Sequence, residues 1–189
     1  MLRRALLSLA LLVALLTTTV APAVAEEAGP FCRLYYSHSG WLYHYYRWGE
    51  GMSGFPGSAD YVNAYTAAAN AWTSTPTPIY LRYSSTGKMQ AHTKWAYNNW
   101  WYGWMDSDPG CVAPGTLQGS RVWVNRWTKN MEGWSWQRLQ EIAGHEMGHG
   151  LGMSEILDPR LTIMAPSPDV GVYMPQAPEI ELLNQIYWR

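Results

Sequence analysis

Between residues 58 and 76 the apolar positions recur three and four apart, so that Tyr61, Ala64, Tyr65, Ala68 and Trp72 share one face of a helix. Ser58 stands at its start, and Pro76 and Pro78 end it. A second helix is predicted over Trp136–Gly150, with Ser135 as its N-cap, and a third over residues 178–187. Residues 41–48, WLYHYYRW, form a dense aromatic run that predicts a strand, followed by a Gly/Pro/Ser-rich turn. Residues 79–84 and 121–127, the latter RVWVNRW, predict further strands, with weaker candidates at 88–95 and 100–105. Residues 106–119 are rich in Asp, Pro and Gly and predict a loop. The strands are not separated regularly by helices, which points to an α+β fold over a doubly wound sheet.

Ahead of these elements, Arg3 and Arg4 precede an apolar run over residues 5–16, and Ala23-Val24-Ala25 offers a small-residue cleavage site. That pattern predicts a signal peptide over residues 1–25 and an exported, extracellular protein. The apolar run is shorter than the ~20 residues of a membrane-spanning helix, so no stable membrane anchor is expected. Residues 26–189 carry no repeat or low-complexity linker and are expected to form a single domain.

The formal net charge of −1 and the absence of long like-charge runs exclude an electrostatic footprint for nucleic acid. The two cysteines, Cys32 and Cys111, are expected to pair in an oxidising compartment. Tyr and Trp, at 13 and 12 copies against two Phe, supply either an aromatic core or an aromatic binding surface.

Residues 145–149 read His-Glu-Met-Gly-His, so two imidazoles four apart project from one face of the predicted helix. Neutral imidazoles suit Zn²⁺ at about 2.0–2.1 Å, and a catalytic site takes three protein ligands with a fourth position open. Glu146, beside the first histidine, is placed to accept a proton from water that the metal acidifies, which makes amide hydrolysis the natural chemistry. The five-residue pattern also occurs without metal. Gly150 and Gly152 strengthen the metal reading, because a glycine there suits a left-handed residue that stops the helix and turns the chain back. Glu155 and Asp158 on the returning chain are then both candidates for the third ligand.

The run His145-Glu146-x-x-His149-x-x-Gly152-x-x-Glu155, followed by Thr162-Ile163-Met164-Ala165-Pro166, resembles the extended zinc signature and Met-turn of the metzincin metallopeptidases, in their matrixin-like branch. The resemblance implies that Gly152 makes the turn, Glu155 is the third zinc ligand and Met164 lies beneath the metal. It implies a twisted, mixed five-stranded sheet with an active-site helix, a helix in the N-terminal half and a C-terminal helix. It further implies an antiparallel edge strand, with residues 100–105 the candidate, that pairs with extended polypeptide substrate. The plain alternative for 100–105 is an aromatic stretch in core or loop.

One departure stands out. The family has His, or occasionally Asp, at the eleventh position, where this chain has the longer Glu155. Asp158 is the reserve ligand. Glu179, on a later helix, is the thermolysin-like alternative, disfavoured because the glycines cut the active helix short. His38, His44, His92 and Tyr173 are assigned no role. The resulting expectation is a secreted, monomeric zinc endopeptidase, with structural Ca²⁺ admitted as a second ion. Its rivals are a non-catalytic metzincin-fold module that recognises polysaccharide or cell-wall material through aromatic residues, and a non-peptide metal hydrolase.

Overall fold

The structure, a computed structural model, describes residues 33–34, 42–107, 116–117, 119–157, 161–166 and 171–187. The expectations for residues 1–25, for Cys32 and Cys111, and for His38 and Asp158 lie outside the described residues.

Strand β1 (Arg33–Leu34) pairs in parallel with β6 (Thr116–Leu117) as a small separate ladder. Strands β2 (Leu42–Trp48), β3 (Ile79–Tyr83), β4 (Met89–Lys94), β5 (Gly103–Ser107) and β7 (Ser120–Asn125) form a five-stranded sheet in the order β3-β2-β4-β7-β5. Every junction is parallel except β5 with β7, which is antiparallel, so the sheet is mixed and β5 is its antiparallel edge. Four helices complete the α+β fold: α1 (Ser58–Thr73), α2 (Arg126–Glu132), α3 (Trp136–Gly150) and α4 (Ala177–Tyr187). Among the described residues no helix is long and apolar enough to cross a membrane.

The alternation along β4 and β7 explains which face the helices cover. Met89, Ala91, Val122 and Val124 are fully buried, while Gln90, Arg121 and Trp123 between them are half-buried on the opposite face. α1 supplies the stripe that its spacing predicts, Tyr61, Ala64, Tyr65, Ala68 and Trp72, all buried. Its alanines are small enough to bring α1 close to α3, where the Trp72 indole N–H donates to the Gly144 carbonyl at 3.0 Å. The buried Tyr65 hydroxyl lies 2.9 Å from the His92 carbonyl and 3.2 Å from that of Val122, which ties α1 to the sheet. Leu139, Ile142 and Met147 of α3 close the core with Met164 and Leu183, each burial contributing roughly 1.5–3 kcal/mol.

Several boundaries differ from expectation, for local reasons. Residues 121–127 are not one strand: Asn125 ends β7, and its side-chain oxygen accepts the Trp127 N–H at 3.0 Å, which starts α2. Ser58 is the first residue of α1, and the position before it, Gly57, offers no side-chain cap. The strand expected at 100–105 begins at Gly103 and runs on to Ser107, while Thr116 and Leu117, expected in the same loop, form β6.

Candidate active site

Ser135 caps α3 by accepting the Arg138 N–H at 3.1 Å, and the helix then carries His145, Glu146 and His149 to its last turn. How it stops decides the site. Gly152 has φ 92°, the Gly152 N–H bonds to the His149 carbonyl at 2.8 Å and the Met153 N–H to that of Gly148 at 3.1 Å. Those are the two bonds of a Schellman cap, with glycine at the left-handed position. Gly150 does different work: it is the last helical residue, and a Cβ there would meet Met89 Cε at 2.7 Å and Val122 Cγ1 at 3.1 Å. One glycine turns the chain and the other lets the helix sit on the sheet.

The reversal returns Glu155 toward the histidines. His145 Nε2 and His149 Nε2 lie 3.0 Å apart, and ligand atoms of His145, His149 and Glu155 all fall within 4.8 Å of one another. His145 Nδ1 lies 2.8 Å from the Ile163 carbonyl and His149 Nδ1 lies 2.9 Å from the Met153 carbonyl. A carbonyl can only accept, so each Nδ1 carries the hydrogen and each neutral ring keeps a bare Nε2. Two bare nitrogens facing each other repel unless a cation lies between them. Backbone carbonyls on the far ring nitrogen are also how metal-binding histidines are oriented.

Electrostatics favours the neutral, ligating form of both rings. Burial, and then the neighbouring His149, push His145 down to about 4, with the Ile163 carbonyl opposing. His149 is lowered by burial, against the opposing pull of the Met153 carbonyl and of Glu155. His145, His149 and Glu155 thus form a cluster compatible with zinc binding.

Glu146 is almost fully buried, and its Oε2 has no hydrogen-bond partner among the described residues. Burial first, and the Glu155 carboxylate second, push its carboxyl up to about 8. The edge strand presses directly on it, because a Cβ at Gly103 would run into the Glu146 carboxylate. Tyr102, Gly103, Trp104 and Met105 from the edge side, and Pro166 from below, line a cleft of about 350 Å³ that opens onto the three candidate ligands and Glu146.

The turn at 162–165 underlies the histidines. The Ala165 N–H bonds to the Thr162 carbonyl at 3.3 Å, the Met164 carbonyl accepts the Ile156 N–H at 2.8 Å, and Met164 is fully buried against Gly148. Glu179 is not drawn to the cluster. It is fully buried and accepts the Met164 N–H at 3.1 Å and the Gln176 N–H at 2.8 Å, so it clamps the turn to the start of α4. Its reach back to the residue before the helix is one half of a capping box, a signal that the residue at the cap, Gln176, obscures in the sequence. Tyr173 is exposed, and its carbonyl accepts from Gln140 at 3.3 Å. Gly103 and Asn125 are residues of the site's framework that sequence patterns do not single out, and Glu179, which the sequence offers only as a ligand, serves instead as this clamp.

No protein-family model matches this chain, and no curated protein matches it. Among solved structures, one similar chain is high choriolytic enzyme 1, a hatching-enzyme zinc protease from the medaka fish Oryzias latipes. It shares 13% identity, the match covers 82% of this chain and 94% of that one, and the TM-score is 0.49.

Proposed function

We propose that this chain is a secreted zinc-dependent endopeptidase of metzincin type, in which His145, His149 and Glu155 hold the metal and Glu146 is the general base. The observation that carries the reading is the pair of bare Nε2 atoms, 3.0 Å apart, each with its Nδ1 committed to a backbone carbonyl. A zinc ion bound by two imidazoles at about 2.0–2.1 Å in tetrahedral geometry separates their nitrogens by roughly 3.3 Å, close to what is found.

Zinc, when bound, supplies a Lewis acid that polarises a carbonyl and acidifies water. Glu146 takes the proton of the attacking water and returns it to the leaving amine, a role suited to a buried carboxylate that lines the cleft and has one oxygen without a hydrogen-bond partner among the described residues. Gly103 keeps the edge strand's backbone close to that carboxylate without a side chain between them. β5, at the sheet edge and lining the cleft, offers its backbone to an extended polypeptide, and Met164 and Glu179 hold the floor. Arg3, Arg4 and the apolar run over residues 5–16 support export.

The test is Glu146→Gln in the processed protein. One zinc per chain should be retained while casein hydrolysis falls by on the order of 10²- to 10⁴-fold. A fully active variant removes Glu146 from the mechanism, and a wild type whose hydrolysis ignores chelator removes the metal.

A further inference from the structure

Beside the cleft, residues 95–101 hold a set of rings in solvent: Trp95 is 48% exposed, Tyr97 71% and Trp100 60%. Clustered exposed rings in one short segment are candidates for a binding site. The segment is rigidly held. Asn125, fully buried, donates from Nδ2 to the Asn99 carbonyl at 2.7 Å and the Trp101 carbonyl at 3.0 Å, and its Oδ1 accepts the Ala96 N–H at 3.3 Å. Buried Trp127 packs edge-on against Tyr97 at 5.9 Å and Trp100 at 4.7 Å. Rings fixed in this way lose little entropy on binding.

Trp95 also walls a cavity of about 280 Å³ together with Phe55, Tyr61, Arg126, Lys129 and Asn130, and among the described residues no carboxylate lines it. The Arg126 guanidinium lies 4.2 Å over the Phe55 ring, yet its Nε is buried with no hydrogen-bond partner among the described residues. Lys129 lies 5.7 Å over Tyr61 and meets the exposed Asp60 only at 3.9 Å, a weak pairing. The cavity thus joins aromatic walls to two cations with spare capacity.

We propose that this cavity and the ring-bearing segment next to it bind an acidic glycan, a sugar chain bearing carboxylates. The apolar faces of its pyranose rings stack on Trp95, Tyr97 and Trp100, and a carboxylate enters between Arg126 and Lys129. The residue types favour sugar over a protein surface. Residues 95–101, Trp-Ala-Tyr-Asn-Asn-Trp-Trp, offer rings and amides for a hydroxyl-rich chain and contain no Leu, Ile, Val or Met. The site stands independently of the metal cluster.

The experiment is affinity electrophoresis of the processed full chain through gels containing hyaluronan, which carries one uronate per disaccharide, or neutral hydroxyethylcellulose. Hyaluronan should retard the protein, less so as salt rises, and Glu146→Gln should be retarded equally. Tyr97→Ala and Lys129→Gln should each weaken binding at least tenfold with unchanged thermal unfolding. Equal retardation by the neutral polymer, no retardation by hyaluronan, or undiminished binding in both variants overturns the proposal. Loss of proteolysis with hyaluronan binding intact bears on the peptidase reading alone.

Discussion

The carboxylate of Glu179 accepts the backbone N–H of Met164 at 3.1 Å, and this bond fastens the turn beneath the histidines to the last helix. Both groups are fully buried, so the bond is made away from water. Since the same turn supplies the Ile163 carbonyl that orients His145, Glu179 acts on the site through the backbone.

Glu179→Ala strands the buried Met164 N–H, which costs about 1–3 kcal/mol, while the N–H of the exposed Gln176 is released to water. Urea unfolding should show a loss of about 1–3 kcal/mol, with Glu179→Gln intermediate. A change within roughly 0.5 kcal/mol, the range of ordinary surface substitutions, would show that the clamp is idle.

Gly103→Ala drives a methyl group into the Glu146 carboxylate. Misplacement of a reacting group by about 1 Å costs on the order of 10²-fold, so kcat/KM on a peptide should fall by about that factor. Zinc content should stay at the wild-type level, because none of the three candidate ligands is touched. Unaltered kinetics would mean that the strand can retreat without consequence.

Glu155→Ala tests the residue that departs from the metzincin signature the sequence resembles. Its loss should weaken zinc retention beyond the roughly 10–100-fold that removal of an outer partner causes, and Asp158→Ala should leave retention near wild type. Competition against a chromogenic chelator measures both, and the reverse ranking moves the ligand to Asp158.

His44 gives a pH dependence unconnected with the metal. Burial lowers it to about 4, neither ring nitrogen has a hydrogen-bond partner among the described residues, and the ring packs edge-on to Tyr187 at 5.1 Å. Its folded value lies below the ordinary 6.5, so its contribution to stability is complete above 6.5 and is lost as the pH falls toward 4. Between pH 7 and pH 5, metal-free wild type should lose about 2 kcal/mol more than His44→Leu. Parallel pH profiles of the two proteins in denaturant unfolding would contradict this.

How much of this was legible in the sequence follows from what is local. The helix bearing His145, Glu146 and His149 was legible to the residue, because its N-cap Ser135, its spacing and its stop signal all lie within a few turns. The glycine turn narrows the third candidate ligand to Glu155 or Asp158; the resemblance assigns that turn to Gly152, but the packing of Gly150 against Met89 and Val122 has no signal in the sequence. α2 is not legible because Arg126 and Trp127 continue the aromatic, β-prone pattern of β7, and that run masks the Asn125 cap that ends the strand. Gly103 against Glu146, and Glu179 beneath Met164, are contacts between distant segments, for which single-chain periodicity carries no signal.

Zinc K-edge X-ray absorption on the processed, metal-loaded protein tests the central claim most directly. The account predicts one zinc per chain with two imidazole nitrogens at about 2.0–2.1 Å and a carboxylate oxygen at about 2.0–2.2 Å. A chain that retains no zinc, or a shell holding fewer than two imidazoles, would contradict it.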